Sequence, residues 1–187
     1  MGTKQKIEKY NNMLRKYIAQ KKYVKIYLSF FGENEDLSGF ILDRSEDFLL
    51  IQTDSDFDLD GYAIITNYDY DSIRSNDYDR TQKKILKAEG TLAEKYGIKI
   101  PINLESWASI LKDLAAADRH IIARSVRKQI LDFNIGPIER ISKKKFKIRD
   151  YDPNGKLDKK PTSIKFDDLR IIKFDDSYST IFRKYLN

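Results

Sequence analysis

Residues 23–31 read YVKIYLSFF, with Val24, Ile26, Leu28 and Phe30 at every second position. Side chains alternate between the two faces of a strand, so this spacing predicts a strand buried on one side. Just before it, residues 4–20 (KQKIEKYNNMLRKYIAQ) place Ile7, Tyr10, Leu14, Tyr17 and Ile18 three or four apart. That is the period of an amphipathic helix, here with a basic outer face. Beyond the strand, Gly32–Asp36 is polar and turn-like, and four short apolar stretches follow: LSGFILDRS, DFLLIQTDS, GYAIITNY and DSIRSN. Ser45–Asp47, Asp56–Gly61 and Asn67–Asp69 separate them and are rich in turn formers. Five such strands in about 55 residues predict a small β-barrel.

Residues 77–89 (DYDRTQKKILKAE) return to a helical pattern, with Asp79 as N-cap and Gly90 as stop. Ile98–Ile102 contains Pro101 and reads as a connector. NLESWASILKDLAAAD then predicts a helix capped by Asn103, with Trp107, Ile110, Leu111 and Leu114 on one face. From residue 119 the first half repeats: HIIARSVRK, FNIGPIERIS, KFKIRDYD, PTSIKF and LRIIKF are five strands, and YSTIFRKYL is a closing helix. Gly39-Phe-Ile41 and Gly136-Pro-Ile138 lie 97 residues apart, as do Asp71 and Asp168. The expected fold is mainly β with α (α+β): two five-stranded small barrels joined and flanked by helices. Residues 1–90 form an acidic barrel with its helices, 91–118 a helical connector, and 119–187 a basic barrel with a C-terminal helix.

The repeats resemble the Sm-like family of small β-barrels, with SH3-like barrels as the close alternative. In that family strands two and three read glycine, an aliphatic residue two later, then Asp-x-x-apolar-Asn. Here the positions are Gly39, Ile41, Ser45, Phe48 and Leu49. The family's second motif, Ile-Arg-Gly-x-Asn-apolar-x-x-Ile, falls on Ile65–Ile73, with Thr66 and Asn67 in place of Arg and Gly. In the second half it falls on Ile164–Ile172, with Lys165 for Arg, Phe166 for Gly and Asp168 at the Asn position. The polar residues that hold a nucleotide in the family are thus replaced, which argues against that mode of RNA binding. The resemblance also implies edge-to-edge association through strands four and five, hence self-association.

Charge is unevenly placed. Net charge is +6 over the 187 residues, yet residues 23–79 hold three Lys/Arg against fourteen Asp/Glu, and residues 119–187 hold eighteen against nine. Such separation suits self-association, an oppositely charged partner, or docking of one half on the other. The run Lys143, Lys144, Lys145, Phe146, Lys147, Ile148, Arg149, together with Lys165, is the candidate nucleic-acid or partner-binding patch, with Phe146 or Tyr151 available for stacking. Its plain alternative is a hairpin tip with Phe146 and Ile148 turned inward and lysines turned to water.

Asp56–Gly61 (DFDLDG) and Asp150–Gly155 (DYDPNG) match the first half of a calcium loop, but the twelfth positions are Asn67 and Pro161 instead of Glu. Acidic turns are the stronger reading. One histidine, His120, opens an apolar strand, and there is no cysteine and no phosphate-binding glycine motif. No apolar run approaches the roughly 18 residues of a membrane span. The expectation is a cytoplasmic, non-catalytic interaction or scaffolding module without cofactor or metal, able to form homo-oligomers. RNA or single-stranded nucleic-acid binding through the basic half is the alternative.

Overall fold

The computed structural model describes residues 3–30 and 33–186. Its elements are α1 (Thr3–Ala19), β1 (Tyr23–Phe30), β2 (Glu33–Arg44), β3 (Phe48–Ser55), β4 (Asp58–Thr66), β5 (Tyr70–Arg74) and α2 (Asp77–Ala88). They continue as α3 (Thr91–Lys95), α4 (Trp107–Ala116), β6 (His120–Arg127), β7 (Ile130–Ile141), β8 (Lys145–Ile148), β9 (Thr162–Lys165), β10 (Leu169–Phe174) and α5 (Ser177–Phe182), the last followed by a single 3-10 turn.

The expected pair of separate small barrels, Sm-like or SH3-like, is overturned. The ten strands of the described residues form one open antiparallel sheet, ordered β5-β1-β2-β3-β4-β10-β6-β7-β8-β9. The physical reason lies at β4. Its outer edge pairs with β10, setting Tyr62, Ala63, Ile64 and Ile65 opposite Phe174, Lys173, Ile172 and Ile171. The backbone groups that could have closed the first five strands on themselves are bonded to the second half instead.

The two halves keep the same internal order, since β5-β1-β2-β3-β4 matches β10-β6-β7-β8-β9. The end of α1 at Ala19 and of α4 at Ala116 differ by 97, as do the bounds of β1 and β6, and of β2 and β7. Residues 107–116 therefore hold, in the second half, the place of α1 in the first. In both halves the second strand switches partner midway. Residues 33–40 pair with β1 and 39–44 with β3, while 130–137 pair with β6 and 138–141 with β8. Gly39 (φ 146°) and Gly136 (φ 157°) sit at these switches. A Cβ there would lie 1.9 Å from the carbonyl oxygen of Gln52 or of Arg149.

Both faces of the junction are covered. Phe48, Leu50, Ile64, Ile172 and Phe174 pack with Trp107, Ile110, Leu111 and Leu114 of α4 and with Phe146, Ile148 and Ile164. Leu49, Ile51, Ala63, Ile65 and Ile171 pack on the other side with Leu14 of α1 and with Val24, Ile26 and Leu28. Hence FLLIQ (48–52) is buried at every position rather than at alternate ones.

Smaller expectations also change. Part of Gly32–Asp36 lies outside the described residues, and β2 already begins at Glu33. Asn76, not Asp79, caps α2; Asp79 is the third helical residue, and its carboxylate accepts from the Asn76 N–H in a capping box. Ser106 caps α4 in place of Asn103. Ile7 belongs to α1, but its side chain lies outside the described residues.

Replacing Gly39 or Gly136 by Ala adds a backbone collision to an unfavourable φ. Each variant is expected to lose at least about 2 kcal/mol of stability in urea titration. Gly90→Ala, at an open site with φ 81°, is expected to lose less.

Candidate functional site

Three surfaces follow from this architecture: the basic hairpin of the second half, the two outer edges of the sheet, and a lysine-lined groove beside α2. The basic run forms the β7–β8 turn and strand β8. Lys143, Lys144 and Lys145 are exposed, Lys147 is half-buried, and Lys165 on β9 lies directly opposite Lys145. Phe146 and Ile148 alternate with these lysines and are buried, as period two requires. The patch is therefore a lysine-bearing ribbon with its apolar side in the core. Phe146 stacks on Phe166, and Tyr151 packs on Phe182, so neither ring is available to stack a base. Arg149 is tied into the fold: it pairs with Glu139 and donates to the carbonyls of Asp158 (3.0 Å) and Lys159 (3.2 Å).

The sheet ends at β5 on one side and β9 on the other; each has one strand neighbour among the described residues. Asp71 is skipped in the β1–β5 register, a bulge in the edge strand. Between these edges the charge asymmetry is partly met within the chain. Glu35 of the acidic half pairs with Arg124 and, at 3.0 Å, with Lys173 of the basic half, and Asp69 faces Arg170 at 3.8 Å. Burial raises the Asp69 carboxyl, against the pull of Thr66 and Arg170.

The aspartates of the calcium-like stretches are engaged in turns and pairs. Asp56 and Phe57 have φ 47° and 67° and make the two-residue turn between β3 and β4. Asp58 pairs with Lys95 at 2.6 Å, and Asp60 accepts from the Ser177 N–H and hydroxyl at 2.6 and 2.7 Å. Asp150 accepts from the Ile135 N–H, and Asp152 from the N–H groups of Asn154 and Lys156. Those N–H donors, that of Lys156 first, hold the Asp152 carboxyl below its ordinary range. Among the described residues no group of three or more His, Asp or Glu could hold a metal ion. No described helix is long and apolar enough to cross a membrane.

The third surface escaped the sequence reading. Lys22, Arg80, Lys83, Lys84 and Lys87 line a groove of about 370 Å³ together with Gln20, Tyr23, Ser75 and Asp79. The signal was available, since Lys83, Lys84 and Lys87 share a helix surface and Lys21-Lys22 immediately precedes β1. What was hidden is that α2 packs beside β1 and so meets the α1–β1 turn.

His120 opens β6, half-buried beside Tyr151 with ring centroids 5.9 Å apart. Burial first, and the Arg183 guanidinium second, push its pKa below the ordinary 6.5. The unfolded chain then takes up the proton more readily, so this residue's contribution to stability is complete above about pH 6.5 and is lost as pH falls below it. The stability of the wild type relative to His120→Gln, by urea titration, is expected to decrease between pH 7.5 and 5.5. Compared with known family models, curated proteins and solved structures, the chain matches none.

Proposed function

We propose that this chain is a non-catalytic protein–protein interaction module that joins further copies of itself through the outer edges of its sheet. One observation supports this above the others: the chain already uses such a junction internally. β4, the fourth strand of the first half, pairs with β10, the fifth strand of the second. The strands in the corresponding places at the ends of the sheet are β5, fifth of the first half, and β9, fourth of the second. A β5–β9 contact between copies would repeat the internal joint in the same order, with unpaired backbone groups supplying the affinity. It would also bring an acidic half beside a basic half, as Glu35 with Arg124 and Lys173 already does within the chain.

A second reading, RNA or single-stranded nucleic-acid binding through the basic half, is favoured by the exposed ribbon of Lys143, Lys144, Lys145 and Lys165. Its affinity would be chiefly electrostatic, because Phe146 and Tyr151 are buried.

Light scattering of purified protein separates the two. Self-association gives a mass above 22.0 kDa at physiological salt, returning to the single-chain value in Asp71→Pro, which removes an N–H at the edge bulge. A wild-type protein that stays a monomer sinks the scaffold reading. The nucleic-acid reading instead predicts binding of a labelled RNA that weakens steeply with salt. That binding disappears when Lys143, Lys144, Lys145 and Lys147 become Glu.

A further inference from the structure

The two halves build the same corner from different charges, and only in the second do carboxylates meet its cations. This corner lies where the turn after the half's first helix meets its last helix, and in the first half it forms the lysine-lined groove. In the second half, Asp118 occupies this turn with φ 52°, and Arg183 donates to its carbonyl oxygen and its carboxylate, both at 2.7 Å. Arg119, the next residue, pairs at 2.9 Å with Asp175, which immediately precedes the N-cap Asp176. Two cations meet two carboxylates there.

In the first half the corresponding turn residue is Lys21, φ 47°, and the corresponding helical residue is Lys83. Lys83 Nζ donates to the carbonyl oxygens of Gln20 (3.1 Å) and Lys21 (2.5 Å), the second of these matching the bond of Arg183 to the Asp118 carbonyl. The carboxylates are gone. Lys21 stands where Asp118 stands, 97 residues earlier, and Ser75 precedes the N-cap Asn76 where Asp175 precedes Asp176. Lys22 takes the place of Arg119, and Arg80, Lys84 and Lys87 add three more cations along the groove. The one carboxylate among the described lining residues, Asp79, is buried and already held by Arg74 at 2.9 and 3.1 Å. Arg80 pairs with Asp77. Lys21, Lys22, Lys83, Lys84 and Lys87 have no carboxylate partner among the described residues. Burial, and then the charges of Lys21, Lys87 and Lys22, push the Lys83 ammonium below its ordinary range.

We infer that this groove binds a compact, multiply charged phosphate anion, which takes the place of the two carboxylates present in the second half. Lys83 keeps one N–H after its two carbonyl bonds, and Lys22 on one side with Lys84 and Lys87 on the other line the groove as point charges suited to phosphate. About 370 Å³ accommodates two or three linked phosphoryl groups. The adjacent phosphates of a free phosphate compound and those of a nucleic-acid strand present the same chemistry.

The test is calorimetric titration of the full chain with sodium tripolyphosphate, at low and at physiological salt, with sodium sulfate at matched ionic strength as control. Expected is saturable one-site binding of tripolyphosphate, at least tenfold tighter than sulfate. It should be weakened at least tenfold in Lys84→Ala/Lys87→Ala and unchanged in Lys143→Ala/Lys144→Ala. Lys21→Asp/Ser75→Asp, which rebuilds the second half's pairing, is expected to abolish binding and to raise the Tm, so loss of binding there is not loss of fold. Competition with a short single-stranded RNA identifies the source: displacement at the groove indicates a polynucleotide, and none indicates a free phosphate compound. Absence of tripolyphosphate binding at low salt, or equal loss in the Lys143/Lys144 variant, overturns the inference.

Discussion

The pairing of β4 with β10 is the contact on which the rest of the molecule depends. Ile64 and Ile172 face one side of it, Ile65 and Ile171 the other, and all four are fully buried. An antiparallel sheet commonly keeps one face in water. Here the central strands lose both faces, so each needs its own cover, and the chain provides α4 on one side and α1 on the other. The two helices are placed alike because each precedes the first strand of its half. A joint between two related edges therefore settles the strand order, the two cores and the positions of the helices.

The same joint organises the electrostatics. Opposite charges accumulate in the two halves, and the junction brings Glu35 against Arg124 and Lys173 while leaving the remaining charge spread toward the ends of the sheet. Partly buried pairs of this kind are less screened than exposed ones, and they favour one docking orientation over others. Orientation is the more important effect, because the apolar burial beside them supplies most of the attraction.

Much of the local structure was legible in the chain. Alternation at Val24, Ile26 and Leu28 identifies β1, helical spacing identifies α1 and the Trp107–Leu114 face, and the glycine pair at 39 and 136 marks the true correspondence between halves. The closure of each half was not legible. FLLIQ, AIIT and LRIIK are apolar in ways that suit either a barrel interior or the middle of a two-sided sheet, and only the β4–β10 hydrogen bonds decide. Cap positions slipped for a local reason, since Asn76, Asp77 and Asp79 can all accept helix N–H bonds and backbone φ selects among them. The basic patch was legible as charge but not as chemistry: period two sends Phe146 inward, and Arg149 is drawn to Glu139 and two carbonyls. The groove beside α2 was missed because its lysines come from segments about 60 residues apart.

The β4–β10 contact has a consequence for synthesis. Ile65 must wait for Ile171, and at about 5–20 residues per second that interval lasts roughly 5–20 s on the ribosome. During it the apolar Ala63–Ile65 edge is made but unpartnered, next to strands already able to pair locally. The nascent first half is thus an open template for any other strand, including the same edge on a neighbouring nascent chain. The acidic character of residues 23–79 offers a counterweight at that stage, since like-charged nascent segments repel one another before the basic half arrives.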